Sequence, residues 1–167
     1  MTRAPSFALP MMLLLTLMLT VASALAAAGT ASGSSGLALS ALVAANSPTL
    51  APSDKAAMAA LFDGQSGVSY PAGHKIVIAA DGITCLAGNV DITRHSCVLQ
   101  FGSNKITLTG RQAHEIFATL VEVGVTADGA LGTIYESLTH LSCTVDPNEV
   151  EQNSGEGASC SFVTDGP

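Results

Sequence analysis

No tryptophan occurs in this sequence, and Phe and Tyr together number seven. Sugar-binding clefts usually carry aromatic platforms, so this scarcity argues against glycoside chemistry or sugar recognition. Cations are almost as rare: six Lys and Arg stand against thirteen Asp and Glu. A chain of that balance is repelled by nucleic acid and by anionic membrane surfaces. Close cysteine pairs are absent too. The four cysteines are separated by eleven, forty-five and sixteen residues, which does not suit a zinc knot built from C-x-x-C units.

The familiar catalytic and ligand motifs fail one by one. His114-Glu115 opens the zinc-protease pattern H-E-x-x-H, but Ala118 stands where the second histidine belongs, and Arg111 and Glu115, a helical turn apart, read as a surface pair facing solvent with His114. The acidic stretch Asp146, Asn148, Glu149, Glu151, Asn153 and Glu156 offers oxygens for calcium. It places Val150 and Glu151 where an EF-hand needs a ligand and a glycine. Ser66 lacks the second glycine of a nucleophile elbow, because Val68 follows Gly67. Gly110 stands alone before a helix, so no phosphate cradle is spelled out. No cofactor is implied by any motif.

What is present begins with an export signal. Arg3 is followed by the apolar run Met11 to Leu19, with Pro10 at its entrance, and then by small residues. Ala24-Leu25-Ala26 and Ala26-Ala27-Ala28 both fit the small-x-small rule for cleavage, so residues 1–28 read as a signal peptide cut near Ala26 or Ala28. The run is shorter than the roughly 20 apolar residues of a membrane span. Removal leaves about 140 residues, enough for one modest core. It also leaves five basic against thirteen acidic residues, a net charge of −8.

The expected destination is periplasmic or secreted, where thiols oxidise. Cys85, Cys97, Cys143 and Cys160 therefore read as two disulfides, paired in sequence order because each pair brackets a turn-rich stretch between strand-like runs.

Residues 29–52 are rich in Ala, Ser, Gly and Pro without a single charge, and read as a linker or arm, with Leu37, Leu39, Leu42 and Val43 marking a short helix within it. Residues 53–167 are expected to hold the folded domain. Ser53 caps a short helix ended by Gly64, with Ala57, Met58, Leu61 and Phe62 on one face.

Lys75 to Ala80 and Ile83 to Leu86 have strand texture, interrupted by a turn or bulge at Asp81-Gly82. Cys97 to Phe101 is the return strand of a hairpin, and Lys105 to Leu108 a third strand. Thr109 and Gln112 form a capping box for the best helix, whose apolar face is Ala113, Ile116, Phe117, Leu120 and Val123 and whose stop is Gly124. Leu138 to Val145 favours strand, Asp146-Pro147 starts a helical turn, and Ala158 to Val163 is the last strand. The expected fold is α+β: a small antiparallel sheet with one main amphipathic helix on a face, stapled by two disulfides.

One exposed segment gathers unlike polar groups. Asp91, Arg94 and His95 fall together at the tip of the first hairpin, where a braced loop would be able to contact a partner. The reading that follows is a non-catalytic exported interaction module recognising a protein or an envelope component. Its alternatives are a small hydrolase, whose residues would converge only in space around His95 or His140, and a self-associating structural component.

Overall fold

The computed structural model describes residues 27–65, 70–87, 91–125, 133–134, 138–153 and 155–164. The leader lies outside them except for Ala27 and Ala28, and so do Ser66 and the loop 126–132. Along the chain run β1 (Ala27–Ser32), α1 (Gly33–Asn46), α2 (Pro52–Phe62), β2 (Ile76–Ala87), a 3-10 turn (Ile92–Arg94) and β3 (Ser96–Phe101). They are followed by β4 (Asn104–Thr109), α3 (Arg111–Glu122), β5 (Thr133–Ile134), β6 (Leu138–Val145), α4 (Pro147–Asn153) and β7 (Ala158–Thr164).

The strands form one sheet in the order β1-β7-β6-β2-β3-β4, every pairing antiparallel, with β5 added against the end of β2. Fold class and disulfide pairing are as the sequence predicts. Cys85 bridges to Cys97 and Cys143 to Cys160. Each bridge joins residues directly opposite one another, across β2–β3 and across β6–β7. All four sulfurs sit on the buried face.

The period-two pattern explains which face that is. Ile76, Ile78 and Ala80 of β2 point inward while Val77 and Ala79 point out. At Asp81-Gly82 the phase slips by one, and Ile83, Cys85 and Ala87 resume the inward set. The neighbouring strand slips at the same level: on β6 His140 takes φ 58°, and the register against β7 shifts between Thr139 and Ser142. Because the two slips coincide, the β2–β6 register runs on unbroken and both strands' apolar residues face the core on either side of them. The exposed Asp81 carboxylate accepts a hydrogen bond from Gly102 N in the β3–β4 turn.

α1 and α3 lie on the inner face, and α2 packs against α1. α3 buries Ala113, Ile116 and Leu120, with Phe117 half-buried, and ends as expected at Gly124. There Val125 N donates to Leu120 O and Gly124 N to Val121 O, with Gly124 at φ 90°. That double closure needs the left-handed conformation glycine adopts freely. The start of α3 differs from expectation. Gly110 is the N-cap and no side chain caps the helix, because Thr109 stays in β4, paired with Ser96. α2 likewise starts two residues early, with Pro52 in its first turn and Ala51 as N-cap in place of Ser53.

The largest correction concerns residues 29–52, expected to be a linker or arm. They supply the rest of edge strand β1, all of α1, and the start of α2 at Pro52. Leu39, Val43 and Ala44 of α1 are fully buried. The small residues that resemble a linker permit close approach instead. A Cβ at Gly36 would lie 2.7 Å from Ala31 O and 2.9 Å from Ala158 O, so only glycine fits where α1 crosses β1 and β7.

Candidate functional site

Asp91, Arg94 and His95 do share one turn, but they do not share one surface. The Asp91 carboxylate accepts from Thr93 N at 3.1 Å and from the Thr93 hydroxyl at 2.6 Å, and so caps the 3-10 turn. Those two bonds, the hydroxyl's first, hold its pKa below the ordinary carboxylate value. Arg94 Nε lies 3.6 Å from Asp91 in an exposed ion pair, and Ile92 between them is exposed.

His95 turns the other way. It is 5 % exposed, with its ring edge against Phe117 at 5.5 Å between centroids. Its carbonyl accepts from Gly110 N at 2.9 Å, which ties the turn to the start of α3. The trio therefore divides into two outward groups and one inward one.

The residue that sequence reasoning missed is His114. Expected to face solvent beside Arg111 and Glu115, it is half-buried, and its Nδ1 lies 3.3 Å from His95 Nδ1. The available signal was its spacing from Phe117, one helical turn on, which places both along the border of the apolar stripe. Arg111 and Glu115 form the expected surface pair, at 3.1 Å.

A second polar cluster joins α2 to the approach of β2. Tyr70 donates to Ser53 O at 3.0 Å and stacks on His74 at 4.8 Å between centroids, while His74 Nε2 lies 3.4 Å from Asp54 Oδ1. Burial, and then the charge and hydrogen bond of Asp54, raise the Tyr70 pKa above the ordinary phenol value. The contacts tie Tyr70 and His74, just before β2, to the first turn of α2.

The acidic stretch around α4 is built as a helix start: Asp146 accepts from Asn148 N at 3.1 Å. Among the described residues no three His, Cys, Asp or Glu side chains converge as a metal-binding group.

The outer face of the sheet is one that no described helix covers. Its outward positions are mostly Ser, Thr, Val and Ala. On the central strand β2 these include Val77, 60 % exposed, and Leu86, 44 % exposed. Ser142 and Thr144 on β6, and Ser159 and Ser161 on β7, continue it toward one edge. Val98 and Thr107, a paired couple, continue it toward the other.

Among the described outward strand positions stand one acid, Asp81, and one cation, Lys105, which line the same shallow depression. The other described acids lie on helices, turns and loop ends. A second depression brings His140 beside Ser142 and Ser161, and no carboxylate is among its described lining residues. Among the described residues no helix is long and apolar enough to cross a membrane. No protein family, no curated protein and no solved structure matches this chain significantly.

Proposed function

We propose that the protein is an exported, non-catalytic binding module that docks a partner protein through the open face of its sheet. The observation that carries this reading is the contrast in charge. The molecule is strongly acidic, yet the uncovered outer face of its sheet holds one acid and one cation among hydroxyls, aliphatics, Gln100 and His140. Six strands at roughly 4.8 Å spacing give a face about 24 Å between its outer strands, and six residues a length of about 20 Å. The product, about 480 Å² of projected area, is somewhat over half of the ~800 Å² each partner contributes to a standard protein interface. The favoured occupant is a protein with a similarly uncharged surface, because desolvating hydroxyls and aliphatics costs less than desolvating unpaired charge.

Export is supported by the charged, apolar, small-residue order of the leader and by two buried disulfides, which suit an oxidising compartment. Cleavage after Ala26 leaves β1 whole, whereas cleavage after Ala28 removes the residues paired with Thr164 and Val163. The earlier site is therefore the better match to the fold.

The test is a pull-down from the native exterior or periplasmic fraction, with oxidised protein as bait. Val77 and Thr144 are direct partners on the outer face. The Val77→Glu/Thr144→Glu variant, with unchanged circular dichroism, is expected to lose a stoichiometric partner that Asp91→Ala/Arg94→Ala retains. Binding across a neutral face should also vary little with salt. Loss in the Asp91/Arg94 variant with retention in the outer-face variant would sink the proposal, as would no partner at all.

A further inference from the structure

We infer that the molecule is one β-β-β-α unit present twice, the second copy in permuted order, so that β2-β3-β4-α3 and β6-β7-β1-α1 correspond residue by residue. The bridges set the alignment: Cys85 and Cys97 of the first copy correspond to Cys143 and Cys160 of the second. The sheet register carries it outward. Cys97 lies opposite Leu108 and Cys160 opposite Ala31, while Ser96 lies opposite Thr109 and Ser159 opposite Ser32. Along β2 and β6 the buried positions then agree across the slip, with Ala80, Ile83, Cys85 and Ala87 matched by Leu138, Leu141, Cys143 and Val145. Two details that strand pairing does not impose agree as well. Each step from strand to helix turns on a glycine of positive φ, 62° at Gly110 and 64° at Gly33. One bridge sulfur of each copy lies against the equivalent helix carbonyl, Cys97 Sγ 3.4 Å from Ala113 O and Cys160 Sγ 3.5 Å from Gly36 O. The helices follow, since Ala113, Ile116 and Leu120 correspond to Gly36, Leu39 and Val43, all of them buried.

A two-fold axis through the β2–β6 pairing relates the copies. Ala80 lies opposite Leu141, and the pair obtained by exchanging the copies, Ile83 opposite Leu138, is also formed. The sequence hides this repeat for two reasons. The second copy is split, with β6 and β7 late in the described chain and β1 and α1 early in it. Its side chains have also diverged: His95, His114 and Phe117 correspond to Ala158, Leu37 and Ser40. Cores accept such exchanges when neighbouring residues compensate in volume, whereas a register slip would turn every side chain to the wrong face. The backbone plan is therefore what persists. It makes β7 and β1 the counterpart of the β3–β4 hairpin. Phe101 and Asn104 pair across the two-residue turn Gly102-Ser103, and Thr164 and Ala27 pair in the same way although they are not consecutive in the chain.

A pair of circular permutants tests the equivalence. Both are opened between Gln65 and Ser66, and both join Thr164 to Ala27. One uses Gly-Ser, the turn copied from residues 102–103; the other uses a flexible Gly/Ser linker of about ten residues. A two-residue hairpin loop fixes the register of its strands, so mere nearness of the two strand ends does not satisfy it. The Gly-Ser permutant is expected to oxidise to Cys85–Cys97 and Cys143–Cys160 and to keep the urea midpoint of the unpermuted protein. Its midpoint should equal or exceed that of the long-linker form, because the shorter loop costs less entropy to close. A Gly-Ser midpoint clearly below the long-linker one would mean that Thr164 and Ala27 do not stand as Phe101 and Asn104 do, and overturns the inference. Failure of both permutants to fold with these two bridges overturns it as well. Neither result depends on a docking partner, so this inference and the proposed function fail separately.

Discussion

The sheet consists of two three-stranded halves that answer one another across the β2–β6 pairing. In one half β2, β3 and β4 lie side by side and α3 follows β4. In the other β6, β7 and β1 do the same and α1 follows β1. Each half bridges its first two strands with a disulfide between directly opposed cysteines, and each lays its helix on the same inner face. Even the hairpin connections correspond, since Asp91 and Asp146 each accept from the backbone N–H two residues on.

The halves differ in how the chain builds them and in what their helices look like. The first is continuous; the second takes β6 and β7 from one end of the described chain and β1 and α1 from the other. α3 is amphipathic, with polar residues outside and Ile116 and Leu120 inside. α1 is uncharged and made mostly of small and apolar residues, because the sheet lies beneath it, α2 packs against it and α3 beside it. A helix covered on more than one side has no polar face to display.

Breaking the bridges tests whether the halves are equivalent in energy as well as geometry. Cys85→Ser/Cys97→Ser and Cys143→Ser/Cys160→Ser should each cost about 2–4 kcal/mol in urea unfolding. The cysteines are 12 and 17 residues apart. By chain entropy alone, that difference amounts to about 0.3 kcal/mol. A gap well beyond 1 kcal/mol between the two variants would show that the halves are held by different means.

The core helices offer the next comparison. Leu39 and Leu120 are both fully buried, one on α1 and one on α3. Truncation of either to Ala should cost about 2–5 kcal/mol, with the spread set by how far each site collapses. Were α1 a loosely attached arm, Leu39→Ala would change the unfolding midpoint by almost nothing, while Leu120→Ala would still be severe. Equal severity marks α1 as structural in the same degree as α3.

That comparison also locates what the sequence makes legible. The strands β2 and β3 alternate plainly, β6 less so because Leu138 and Leu141 also suit helical spacing, and the cysteines bracket turns, so the hairpins and their bridges can be read from the sequence. α3 declares itself by period, and Gly124 by position. α1 does not, because Ala, Ser and Gly signal either a flexible tether or a tightly packed helix, and composition alone does not separate them.

The distinguishing evidence was the placement of Gly36, Leu39, Ser40, Val43 and Ala44 at helical spacing, all of them buried. The site is less legible than the fold for a similar reason. His95 and His114 lie nineteen positions apart, and only the docking of α3 against the turn brings them together. The neutrality of the outer face becomes visible only once the strand register shows which side each residue faces.

The smallest expected effect concerns the two aspartate caps. Asp146 accepts from one backbone N–H, whereas Asp91 accepts from Thr93 N and also from the Thr93 hydroxyl. Thr93→Ala removes the larger cause of Asp91's depressed pKa and leaves the backbone bond. The carboxyl should then titrate closer to its ordinary range in a carbon-13 NMR pH series.

The sign of the stability effect follows from linkage. A carboxyl whose folded pKa lies below its unfolded value contributes stability above the unfolded pKa, and that contribution is lost as pH falls through the folded one. Wild type should therefore exceed Thr93→Ala in urea midpoint near neutrality by a small margin that narrows on acidification. A margin that stayed constant down to full protonation of Asp91 would mean the Thr93 hydroxyl stabilises the turn without acting through the charged carboxylate. The likeness between the two caps would then rest on their backbone bonds alone.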